Sequence, residues 1–173
     1  MLVTISGLPG AGTSTVAKRV AAQLGIERLD GGSVFRSLAS ERGLTVEEFS
    51  ALAEDASTID LELDDRLAAR AREGDVVLES RLAAWIAVNE GLDAVRIWIA
   101  CDPDERARRV GEREGLHPDA ARAANDAREA SERHRYRGYY AIDIDDLSIY
   151  DLVLDSGRSG PAELADAIVA AAS

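Results

Sequence analysis

The chain has 173 residues, 46% of them apolar, and a formal charge of −12. That length and apolar share describe one folded domain, residues 1–173, with a core of its own. So negative a balance argues against a broad surface for nucleic acid or anionic membrane, and no run reaches the roughly 18 apolar residues of a spanning helix.

No signal-peptide layout opens the chain. An apolar run, Met1 to Ile5, leads into GLPGAGTST (Gly7, Leu8, Pro9, Gly10, Ala11, Gly12, Thr13, Ser14, Thr15), and an amphipathic stretch follows from Ser14 to Leu24. Strand, glycine-rich loop and helix is the layout of a phosphate-binding loop. Glycines at 7, 10 and 12 are expected to take φ > 0 and let the backbone approach phosphate oxygens. Successive N–H groups and the positive helix end then hold the anion, ATP in this reading. Ser14 supplies the hydroxyl for a phosphate-bound Mg²⁺. Thr13 stands where the usual motif has lysine, and Lys18, five residues on, points roughly 140° away around the helix. The plainer alternative is an ordinary Gly/Pro turn.

Further apolar runs follow at Ile26–Leu29, Val76–Leu78, Val95–Ala100 and Leu152–Leu154. Each is flanked by helix-forming segments, so with the first run they predict five buried parallel strands in an α/β sheet with helices on both faces. Residues 32–73 read as mostly helical, with a capping box at Thr45 and Glu48. Cys101 closes the fourth strand as a small core residue, and the lack of a second cysteine excludes an internal disulfide and fits a reducing cytoplasm; a monomer is expected. Asp102-Pro103 with Glu105 starts a helix; Pro118 and Pro161 start two more, and Asp119 to about Tyr140 can be one long helix. Trp85 and Trp98 read as core, and His117 and His134 as isolated residues with no metal site.

Only Lys18 is lysine; the other 19 basic residues are arginine, which fits either a salt-rich cytoplasm or codon bias. Residues 106–137 hold nine arginines and six acids, a balance of +3, whereas the rest of the chain stands at −15. A positive island in a negative protein implies an anionic ligand. Arg106, Arg109 and Arg113 share one helical face, as do Arg128 and Arg135, with Glu132 between them able to hold either guanidinium. A solvated, salt-bridged helix is the alternative. Arg36 and Arg81 follow the second and third strands, at the carboxyl edge where an open parallel sheet has its ligand crevice. Guanidinium matches phosphate bidentately, so a second phosphate group besides the ATP tail is expected.

These motifs resemble the nucleoside monophosphate kinases, and more narrowly cytidylate kinases of the archaeal type. The glycine loop, DGGSVFR at 30–36, VVLESRLAAWI at 76–86, RAxR at 106–109 and REGL at 113–116 occur in the family's order, and REASERHR at 128–135 is similar to the bacterial lid pattern R-[DE]-x-x-[DE]-x-x-R. YAIDIDDLSIYDLVLDS at 140–156 is the most specific match to archaeal members. The resemblance implies a three-layer P-loop kinase fold with a monophosphate-binding insertion at about 32–73 and a lid at about 106–137. It implies that Arg36 and Arg81 grip the monophosphate, that Arg128 and Arg135 come from the lid, and that Asp30 lies near the reacting phosphoryl groups. Ser33 departs from the family, standing where many relatives carry aspartate.

The expected activity is transfer of the γ-phosphoryl group of ATP to CMP or dCMP, with Arg106, Arg109, Arg128 and Arg135 supplying the charge a loop lysine normally gives. The acceptor phosphate is already anionic, so no general base is required. Specificity lives in a few contacts to the base edge, so AMP and UMP remain rival acceptors, and the missing lysine leaves open a non-catalytic nucleotide sensor.

Overall fold

The computed structural model describes residues 1–55 and 57–172. Five strands form one all-parallel sheet: β1 (Leu2–Gly7), β2 (Glu27–Asp30), β3 (Val76–Glu79), β4 (Val95–Ala100) and β5 (Leu152–Asp155), in the order β2-β3-β1-β4-β5. Each coincides with an apolar run of the sequence to within two residues at either end. The added residues Gly7, Asp30 and Glu79 are the ones that reach the site.

Alternation along the strands sends side chains to opposite faces. Val3, Ile5, Val77, Ile97 and Ile99 pack on one face with α1 (Thr13–Leu24) and α8 (Pro161–Ala172), through Val16, Val20, Leu164 and Ile168. Leu2, Val76 and Leu78 turn the other way, against α4 (Ser57–Arg72) and α5 (Ala83–Asn89). Ile5, Ile97 and Leu78 are fully buried, each stabilising the fold by about 1.5–3 kcal/mol.

Between β2 and β3 the chain runs through α2 (Gly31–Glu41), α3 (Val46–Asp55) and α4, which share a small core of Leu38, Phe49 and Ile59. The Thr45 capping box forms as expected: the Thr45 amide donates to Glu48 at 2.8 Å and the Glu48 amide to the Thr45 hydroxyl at 3.1 Å. After β4 come α6 (Pro103–Glu114), capped by Asp102, and the long α7 (Pro118–Tyr140), capped by His117. The two form a hairpin around Ala107, Val110 and Ala121. The last turns of α7 dock on the sheet through Tyr136, beside Trp98, Tyr150 and Leu82. Trp98 is core, as expected, whereas Trp85 is only partly buried. Among the described residues no helix is long and apolar enough to cross a membrane.

Candidate active site

The loop after β1 is pinned on both sides. Pro9 offers its carbonyl to the Arg106 guanidinium at 3.1 Å, and Ala11 accepts from the Ser156 hydroxyl at 2.7 Å. Within the loop, the Ala11 amide bonds the Leu8 carbonyl at 3.0 Å, and the Thr15 amide bonds the Gly12 carbonyl at 3.1 Å. Gly10 and Gly12 take φ of 83° and 89°, as expected. Gly7 does not lie in the left-handed region, which corrects the expectation for that position. It is glycine because a Cβ would lie 2.7 Å from the Ile99 carbonyl oxygen and 2.8 Å from the Thr13 methyl. Gly12 caps α1 without a side chain, so no side-chain cap competes with an anion for the Thr13 and Ser14 amides, whereas that of Thr15 is already bonded.

The hydroxyls of Thr13 and Ser14 both donate to one oxygen of Glu79, at 3.0 and 2.5 Å. Glu79 is the last residue of β3 and is buried; its other oxygen accepts from Arg28 of β2. A hydroxyl and a carboxylate side by side are hard oxygen donors of the kind Mg²⁺ takes, alongside water and substrate phosphates. No set of three or more His, Cys, Asp or Glu side chains suited to a metal occurs among the described residues. A cation at this site would therefore depend on oxygens from the nucleotide.

From Glu79 a chain of polar contacts runs through Arg28 to Asp30, 3.8 Å away, and on to Arg36 at 3.6 Å. Asp30 also caps α2, accepting from the Gly32 amide at 2.9 Å and the Ser33 hydroxyl at 2.8 Å, and Arg36 donates to that hydroxyl at 2.8 Å. Ser33 thus aligns Asp30 and Arg36.

A second chain starts on the loop's other side. The Arg81 guanidinium donates to the Gly7 carbonyl and, at 2.8 Å, to Glu132, whose other oxygen accepts from Arg128 at 2.9 Å. Burial alone would push the Glu132 carboxyl up, yet Arg81 and Arg128 outweigh it and hold Glu132 below the usual carboxylate range. Of the two guanidinium groups the sequence offered it on its own helix, Glu132 takes Arg128. Arg135 instead crosses to α4 and bonds both oxygens of Asp60, at 2.9 and 2.8 Å. There burial outweighs the arginine, and Asp60 lies above its ordinary value.

The two α6 arginines part company. Arg106, 4% exposed, gives its guanidinium to the carbonyls of Pro9 and Cys101 and to Glu129. Arg109 reaches the Ser156 hydroxyl and carbonyl at 3.0 and 2.9 Å, beside Gly12. Arg113 turns outward to Glu114.

Of the residues singled out in the sequence, Arg36, Arg81, Arg106, Arg109, Arg128 and Asp30 connect to the loop through these contacts; Arg135 is held apart by Asp60. Sequence reasoning passed over Arg28, Glu79 and Asp60, and met Glu129 only as a position of the lid pattern, without its partner. Only Glu79 carried a usable signal, an acid closing a strand of buried residues.

The cytidylate kinase-like family model matches residues 2–158. The chain belongs to that family. A cytidylate kinase of Halobacterium salinarum is 51% identical over 98% of this chain and 88% of its own length. One from Methanopyrus kandleri is 46% identical over 91% and 86%. Among solved structures, an uncharacterized protein from Eubacterium ventriosum superposes with a TM-score of 0.76 at 19% identity, covering 99% of this chain and 97% of that one. A shikimate kinase from Acinetobacter baumannii gives 0.64 at 15% identity, over 99% and 92%. At those identities the structures speak for the fold, which is that of the P-loop kinases.

Proposed function

We propose that the protein transfers the γ-phosphoryl group of ATP to CMP, and to dCMP, giving the diphosphate and ADP. The observation that carries this reading is the direct contact between Arg81 and the Gly7 carbonyl, which sets a phosphate-matching guanidinium against a loop built for a triphosphate. Phosphoryl transfer needs positioning, charge dispersal and exclusion of water more than it needs covalent help. The amides of the 7–15 loop cradle the donor phosphates, and Ser14 with Glu79 would hold a Mg²⁺ bound to them. Bound there, the ion would neutralise charge developing between donor and acceptor phosphates.

Arg81 and Arg36 orient the acceptor phosphate, with Asp30 fixing Arg36. Arg128 and Arg135, released from their carboxylates, disperse charge on the transferred group as the lid closes and water leaves. Arg109, above Gly12, stands nearest to the work of the missing lysine. Arg106 braces the loop from behind and leaves the charge dispersal to the others. Residues 32–73 serve as the monophosphate-binding insertion and 106–137 as the lid. The single cysteine supports a reducing cytoplasm, and the acidic, lysine-poor surface supports a salt-rich one; the protein acts there as a monomer.

The test is a coupled assay with ATP, Mg²⁺ and CMP, dCMP, UMP or AMP in turn. CMP and dCMP are expected to exceed UMP and AMP in kcat/KM, and Arg81→Ala to lower the CMP value roughly 10²-fold. Preference for AMP, or nucleotide binding without turnover, would overturn the reading.

A further inference from the structure

Arg109 is held beside the glycine loop by a residue 47 positions further along the chain. Ser156, half-buried just after β5, engages every polar atom it has. Its amide donates to the Ala100 carbonyl at 2.9 Å. Its carbonyl accepts from Nη2 of Arg109 at 2.9 Å, and its hydroxyl accepts from Nη1 at 3.0 Å. The backbone around it is fixed by Asp155, whose carbonyl accepts from the Arg158 and Ser159 amides at 3.2 and 3.1 Å and whose side chain accepts from the Gly157 amide at 2.8 Å. A side chain on so constrained a turn can set the direction of another group.

The direction of these bonds follows from the donors available. A guanidinium only donates, and a serine hydroxyl has a single proton. Arg109 therefore donates to the hydroxyl, whose own proton goes to the Ala11 carbonyl of the loop at 2.7 Å. Guanidinium, hydroxyl and carbonyl form a one-way chain in which each bond polarises the next. Glu105 takes the Nε–H of Arg109 at 2.8 Å. A guanidinium has five N–H groups, so among the described residues one remains uncommitted on each terminal nitrogen. Nη1 lies 3.7 Å from the point that a Cβ on Gly12 would occupy, which puts the guanidinium at the cap of α1, the end of the helix that faces an anion. Arg81, Arg128 and Arg135 are each engaged by a buried carboxylate. The terminal nitrogens of Arg109 meet only the neutral oxygens of Ser156, so no carboxylate has to leave before they meet a phosphate.

We propose that Ser156 is a positioning residue for phosphoryl transfer, holding Arg109 at the glycine loop so that this guanidinium brings to the donor phosphates the charge that Thr13 does not supply. The assignment rests on the CMP kinase reading and deepens it, since Ser156 lies outside both the insertion and the lid. A loop lysine would rise from α1 itself. Arg109 comes from α6 and needs an external hold, which the hydroxyl and carbonyl of Ser156 provide together. Because the same hydroxyl bonds Ala11, the guanidinium and the loop share one fixed point.

The experiment is a double-mutant cycle on Ser156→Ala and Arg109→Ala, read as the single-turnover rate at saturating Mg²⁺–ATP and CMP, with thermal melts confirming that each variant folds. Arg109→Ala is expected to lower that rate about 10²-fold and Ser156→Ala about 10-fold, with KM for CMP within ~3-fold of wild type in both. The double variant is expected to match Arg109→Ala alone, because a serine that acts through the arginine then has nothing left to position. Should Ser156→Ala not fold, Ser156→Gly removes the same hydroxyl and takes its place in the cycle. Losses that multiply in the double variant would mean that Ser156 acts on the loop through Ala11 alone, and would overturn the assignment. A wild-type rate in either folded single variant would overturn it as well, and both results leave the kinase reading intact. A wild type that does not phosphorylate CMP at all would instead remove the reading beneath it.

Discussion

Arg106 on α6 and Arg135 on α7 both carry largely buried guanidinium groups, but different kinds of oxygen satisfy them. Arg106 is fixed to main-chain carbonyls of Pro9 and Cys101 as well as to Glu129, so moving it would disturb the loop and the end of β4. Arg135 is held by a side-chain carboxylate from another helix, and Arg128 by a carboxylate one turn along its own. A phosphate can replace a carboxylate in a guanidinium fork with little change of geometry, whereas nothing in a nucleotide replaces a backbone carbonyl. Arginines on neighbouring helices thus divide into those that build the site and those free to serve it.

The largest expected effect separates the two kinds. Arg106→Ala leaves Glu129 buried, with Arg133 3.6 Å away as its only remaining cation among the ion pairs described. Uncompensated burial of that sort costs about 3–5 kcal/mol, and a urea melt should register it as lost stability. Arg128→Ala, at an exposed side chain, should leave the melt nearly unchanged and lower kcat/KM for CMP about 10²–10³-fold, the scale of one lost transition-state donor. If Arg106→Ala affects only turnover and Arg128→Ala only stability, the division fails.

A smaller effect sharpens the picture of the seam between α4 and α7. The Asp64 carboxyl, raised to about 6 by burial, titrates above its unfolded value of about 3.9. The native state therefore keeps the proton longer, and stability should fall as pH rises from about 4 through 6, by at most ~3 kcal/mol. Asp60 and Asp65 on the same helix, Tyr140 from α7 and Glu90 at the end of α5 surround the group. Asp60 is raised as well, so Asp64→Asn should flatten part of the slope in Tm against pH and leave a remainder. An unchanged slope would mean that Asp64 is solvated. The smallest effect lies where α7 ends. Ala141 takes φ 55° as its cap, and Ala141→Gly should stabilise the fold by up to about 1 kcal/mol, measured as a rise in Tm without a change in CMP kinetics.

Local features were legible in the sequence. Apolar runs located all five strands, and Thr45 with Glu48 and Asp102 with Pro103 marked helix starts that formed as written. At the site, residue types were readable but partners were not. Gly7 was recognised as a glycine position for the wrong physical reason, because the crowding comes from Ile99, ninety-two residues away in sequence. Spacing placed Arg106 and Arg109 on one face but could not say that one points into α7 and the other towards Ser156. Asp60 and Arg135, separated by 75 residues, meet only because α4 and α7 approach each other in the folded molecule. No periodicity within either helix carries that fact.

The packing of α8 has a consequence for how the molecule is made. Leu164, Ala165 and Ile168 lie directly on Val16, Ala17 and Val20 of α1, and Gln23 donates to Asp166 at 2.7 Å across the same seam. A nascent chain not yet extended through Pro161–Ala172 leaves that side of α1 bare. The helix that presents the anion-binding turn would then have no apolar footing. Nucleotide capture should accordingly be gained during biosynthesis only once the polypeptide has delivered α8.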